Sequence, residues 1–198
     1  MGFARRRDAG ACTRLDGREP GRLAGRRATR RGGEFGDPSV WLWKGGAPDE
    51  ARGRTMKVVL DTSVFVPGVF FPGPPREVLR LWRDGEIELA LSAEILEEYR
   101  RVGRALAKPF PNTDLEPVLD LVSAEGSLVE APPLDEAVCE DRADDKFLAC
   151  ALASECETIV SSDRHLLKVS GYRGVRVMKP SAYLRERGRG HAAQAKGS

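Results

Sequence analysis

Apolar and polar positions change their pattern at Met56. Beyond it, short apolar runs alternate with amphipathic stretches. Val58, Val59 and Leu60 form a mostly β-branched run, the pattern of a strand buried on both faces. Ile87–Leu91, Leu128–Val129, Thr158–Val160 and Val175–Met178 read as further strands. Between them, Arg76–Arg83 predicts an amphipathic helix that stops at Asp84-Gly85. Ser92 is placed to cap a helix running through about Val102, with Ile95, Leu96, Tyr99 and Val102 on one face. At about 100° per residue, Glu97 points nearly opposite that face and Glu98 lies on its border. Leu115–Ala124, a helix opened by Asp141 to Lys146, Arg164–Val169 and Pro180–Arg187 complete the set. Thr62–Val69 reads as no more than a helical turn, interrupted at Pro67-Gly68. Such alternation predicts an α/β fold whose parallel sheet is covered on both faces.

Residues 1–55 contrast with this. They hold thirteen Lys and Arg against seven Asp and Glu, a charge of about +6 that the rest of the chain offsets with about −4. Their Gly/Arg-rich composition predicts a disordered basic extension, since it buries too little surface to offset ordering entropy. The short Val40-Trp41-Leu42-Trp43 patch is too small to nucleate a core. A basic arm for RNA is one reading. The preferred one is plainer, a disordered extension or residues translated from a misplaced start, because Met56 itself opens the first strand. The folded domain is expected over 56–187, followed by a frayed tail at 188–198. Four cysteines show no CxxC pair and no matching His spacing, which argues against zinc. No apolar run approaches the roughly 18 residues that span a bilayer, so no membrane partner and a reducing, cytoplasmic setting are expected.

Candidate chemistry lies in the acids. Asp61 follows the first strand, where open α/β sheets place their ligands. It is also a natural N-cap for the residues after it. Asp163 repeats that arrangement after Thr158–Val160. Glu98 sits on a helix border, and Asp144/Asp145 open the helix carrying Phe147, Leu148, Ala151 and Leu152. Acids in a first turn complement the helix dipole, although three in five positions exceed what capping requires. Carboxylates brought together repel one another unless cations neutralise them, and hard oxygen ligands suit Mg²⁺ or Mn²⁺. Such ions support in-line displacement at a phosphodiester.

Four segments carry a family resemblance: Val-Leu-Asp-Thr-Ser-Val-Phe-Val at Val59 to Val66; Ser-Ala-Glu-Ile-Leu-Glu-Glu-Tyr-Arg-Arg-Val at Ser92 to Val102; Asp-Asp-Lys-Phe-Leu-Ala-Cys-Ala-Leu-Ala at Asp144 to Ala153; and Ile-Val-Ser-Ser-Asp-Arg-His-Leu-Leu at Ile159 to Leu167. In this order, Met56 to Leu184 resembles a PIN domain, the nuclease fold of many bacterial toxin–antitoxin toxins. The resemblance implies a three-layer α/β/α sandwich and Mg²⁺- or Mn²⁺-dependent cleavage of RNA. It also implies a toxin role, with a cognate antitoxin and a homodimer as partners. Asp61, Glu98, Asp145 and Asp163 match the family's metal-binding, catalytic quartet, with Asp144 a near competitor of Asp145. Ser63 stands where many members have Asn, and Ser161 where Thr is common; both keep a supporting polar group. The alternative is a catalytically silent PIN module that binds RNA or a partner. A haloacid-dehalogenase-type phosphoryl transferase would need an Asp two residues after Asp61, and that position is Ser63. Arg76, Arg100, Arg101 and Arg104 are loose candidates for RNA contacts, the preferred reading being a solvated helix face.

Overall fold

The computed structural model describes residues 55–109 and 115–194. The expected extension, its Val40–Trp43 patch and the chain around Pro111-Asn112 therefore lie outside the described residues. Five strands, β1 (Met56–Leu60), β2 (Ile87–Leu91), β3 (Ser127–Leu128), β4 (Thr158–Val160) and β5 (Arg176–Met178), alternate with seven α-helices. These are α1 (Thr62–Phe70), α2 (Pro74–Arg83), α3 (Ala93–Ala107), α4 (Glu116–Glu125), α5 (Asp145–Ala153), α6 (Arg164–Lys168) and α7 (Pro180–Gln194). The strands form one sheet in the order β3-β2-β1-β4-β5, every pairing parallel. Val58 lies opposite Leu89, and Leu60 opposite Val160.

Consecutive residues of a strand face opposite sides of its sheet. Val58, Val59 and Leu60 are nevertheless all buried, so both faces of β1 are covered. This is the three-layer α/β arrangement expected. Phe65 of α1, Trp82 of α2, Tyr99 of α3 and Phe147 of α5 are the largest fully buried side chains of a continuous core. From β1 the chain winds outward through β2 and β3, then returns to the other side of β1 for β4 and β5. Strand order thus reverses between β1 and β4. In open parallel sheets that reversal leaves a crevice at the strand carboxyl ends.

Several elements differ from expectation. The segment after Asp61 is a continuous nine-residue helix with Pro67 inside it. Pro67 offers no N–H to the preceding turn, but the helix buries Val64, Phe65, Val66, Val69 and Phe70, and that burial outweighs one missing bond. Gly68 permits the close approach of α2: a Cβ there would lie 2.8 Å from Leu79 Cδ1 and 3.1 Å from the Pro75 carbonyl. Arg76 is not a surface cation. It is 4% exposed and donates from Nη2 to the Val69 carbonyl at 3.1 Å, satisfying a group left open at the end of α1. Arg100 and Arg104 both pair with Glu116, in keeping with a solvated helix face. The α3 helix continues to Ala107. The helix expected from Asp141 is split into a 3-10 turn, Arg142–Asp144, followed by α5. Helix α7 runs through Gln194, beyond the expected helix end at Arg187. No helix among the described residues is long and apolar enough to cross a membrane.

Candidate active site

Asp61 ends β1, its N–H bonded to the Val160 carbonyl of β4 at 3.0 Å. Its backbone is extended, as at an N-cap, and its carbonyl accepts from Val64 and Phe65. The side chain makes no capping bond. Oδ2 instead accepts from Ser63 Oγ and, at 2.5 Å, from Ser161 Oγ just past β4. Both serines bridge the two strand ends, because Ser161 Oγ also accepts from the Asp163 N–H and Ser63 Oγ from the Ser162 N–H. Asp61 is 5% exposed. Burial raises its pKa, the Ser161 and Ser63 hydrogen bonds oppose that rise, and nearby Asp163 adds to it.

Asp163 does cap its helix: Oδ1 accepts from the N–H of His165 at 2.6 Å. Asp144 closes the 3-10 turn that leads into α5. Its pKa is pushed up to about 6, first by burial and then by the negative charges of Asp61 and Asp163. The charges of Asp61 and Asp163 thus reach Asp144, and that of Asp163 reaches Asp61.

Asp145, one residue on, has a different environment. Its Oδ1 accepts from the backbone N–H groups of Cys139, at 2.8 Å, and Val138, at 3.3 Å. It anchors the segment that crosses from β3 to α5. Burial, followed by the Asp145 contact, pushes the Cys139 thiol up to about 12. Glu98 has partners of its own. Thr62 Oγ1 donates to its Oε1 at 2.7 Å, and Lys146 Nζ pairs with its Oε2. Tyr99 fixes the position of this part of α3. Its hydroxyl donates to the Leu60 carbonyl at 2.5 Å, and its ring stacks on Phe65 with centroids 4.0 Å apart. A groove of about 380 Å³, lined among others by Glu94, Leu134, Arg142, Asp145 and Lys146, opens beside these residues.

The structure thus brings Asp61 and Asp163 together with both serines, and adds Thr62 and Lys146, which sequence reasoning passed over. Each is adjacent to a candidate acid, and each acts on Glu98 from a distant element, a relation that no local spacing encodes.

A parallel α/β sheet with carboxylates gathered at its switch point defines the class of protein. The family model described as PIN domain matches residues 57–165, more than half of the chain. The chain belongs to the PIN-domain family, whose members are generally nucleases. Among solved structures, the crystal structure of PAE2754 from Pyrobaculum aerophilum aligns at 19% identity and a TM-score of 0.42, over 71% of this chain and 97% of that one. None of the curated proteins matches the sequence.

Proposed function

We propose that the protein is a divalent-metal-dependent endoribonuclease that hydrolyses RNA phosphodiester bonds, with Asp61, Asp144 and Asp163 as its reaction centre. The observation that carries this reading is the meeting of Asp61 and Asp163 at the β1/β4 strand ends, joined through Ser161 Oγ, with the charges of both reaching Asp144. Asp144 takes the third place that spacing gave to Asp145, whose carboxylate is engaged by the backbone of Val138 and Cys139.

The donor set suits Mg²⁺ or Mn²⁺. It is all oxygen, and it gathers negative charge that repels itself until a cation compensates it. Among the described residues no three His, Cys, Asp or Glu side chains enclose a metal position; the fit rests on donor chemistry. Asp61, Asp144 and Asp163 would hold the cation, which would supply positive charge to offset the negative charge developing in the displacement. The chain's own residues do the rest. Ser63 and Ser161 hold Asp61 by one oxygen and so fix its orientation. Asp163 is fixed by its cap. Burial and the charges of Asp61 and Asp163 push the Asp144 pKa up to about 6 without a cation, and a bound divalent ion would favour its ionised form. A toxin role, with a cognate antitoxin and a second copy of the chain as partners, extends this reading through family likeness.

The test is cleavage of end-labelled single-stranded RNA by the full chain. Internal cuts that appear with Mn²⁺ and vanish with EDTA are expected. Equal cleavage in EDTA would overturn the metal-dependent reading, and a chain that binds Mn²⁺ without cutting any RNA would favour the silent module.

A further inference from the structure

Glu98 is the one family-matched acid that already holds a cation. Its two oxygens are separately engaged, Oε1 by the Thr62 hydroxyl at 2.7 Å and Oε2 by the ammonium of Lys146. The pair is well shielded: the side chains of Lys146 and Glu98 are 15% and 18% exposed. Ion pairs so placed are screened far less by salt than surface pairs. Lys146 is held on its own helix as well, with Nζ 5.3 Å from the centroid of the Phe147 ring. Its positive charge also reaches Asp144, where it opposes the rise in pKa that burial and then Asp61 and Asp163 cause. It also lines the groove beside the site.

A divalent ion at Glu98 would have to displace this ammonium or sit against it. We infer that Lys146 is the resident cation of the Glu98 end of the site, closing it to a second divalent ion and leaving Asp61, Asp144 and Asp163 to bind one. This rests on the proposed metal-dependent reading of the acidic centre. The consequence is a division of labour. One metal position lies at the switch point. A fixed ammonium stands beside it, where sites with two metal ions carry their second ion. Lys146 is on this account a positioning residue for Glu98, and its charge is what matters.

Mn²⁺ stoichiometry, measured by calorimetry on the full chain, tests this independently of cleavage. Wild type is expected to bind one Mn²⁺, and Asp61→Asn to lose it. Lys146→Met is expected to bind two, because Glu98 is released. The double variant Lys146→Met/Glu98→Gln should return to one. Lys146→Arg, which keeps the charge, should bind one as wild type does, and it serves as the folded comparison should the Met variant melt early. One Mn²⁺ on Lys146→Met, with wild-type binding still dependent on Asp61, would overturn this inference and leave the nuclease reading standing. Two on wild type would also overturn it. No Mn²⁺ bound by any of the proteins would overturn both.

Discussion

Asp61 and Asp163 occupy the same local context, a carboxylate between a buried strand and a helix, yet their side chains do different work. Asp163 lends one oxygen to the first turn of α6. The Asp61 side chain makes no capping bond to α1 and is held by two hydroxyls. The folded state raises the Asp61 pKa, so it holds that proton more tightly than the unfolded chain does. Ionisation at neutral pH then opposes folding. In EDTA, Asp61→Asn should therefore melt at the same temperature as wild type or above it. A clear drop in melting temperature would show that the carboxylate stabilises the fold. Asp144 and Asp145 separate in the opposite sense. Asp144→Asn should slow RNA cleavage by roughly 100-fold or more with little change in melting. Asp145→Asn should cost about 1–2 kcal/mol in urea unfolding, by weakening charge-assisted bonds to Val138 and Cys139, and slow cleavage less than tenfold. The reverse ranking would restore Asp145 as the third acid. Spacing could not separate the two, because neighbours at a helix start differ only in direction. What decides that direction here is the Pro-rich 131–141 segment, which has no periodicity to read.

At the scale of elements, strands were the most legible. Ile87–Leu91 and Thr158–Val160 carry their own boundaries, since a run buried on both faces is apolar throughout and ends where polar residues begin. Helix α1 was legible only as an interrupted turn over Thr62–Val69, because Pro67-Gly68 breaks local propensity and tertiary burial restores the continuous helix. That burial depends on the bare Gly68 face, where Leu79 and the Pro75 backbone pack. Gly68→Ala should lower stability by about 1–3 kcal/mol, as overpacking does, with α1 and α2 forced apart. An unchanged urea midpoint would mean that the contact relaxes freely. Movement of α1 would carry Thr62, and with it one of the two holds on Glu98.

Across the whole molecule, the site follows from topology. The acids reach one crevice because β1 and β4 are neighbours although about a hundred residues separate Asp61 from Ser161. Alternating strands and helices predicted the parallel sheet. They could not give the order β3-β2-β1-β4-β5, which depends on which side of β1 the returning chain takes. Cys139, Cys150 and Cys156 are free and buried in this structure, the thiols of Cys139 and Cys150 pushed up to about 12 by burial. In a Cys12→Ser chain these thiols should resist iodoacetamide until global unfolding, since the thiolate is the nucleophile. Rapid labelling in native buffer would reveal local opening around α5. The central claim is that the acidic crevice cleaves RNA, and the most direct measurement is the single-turnover rate of Asp61→Asn in Mn²⁺, on protein shown by its melting curve to be folded. A loss of roughly 100-fold or more is expected; cleavage by the folded variant at the wild-type rate would contradict it.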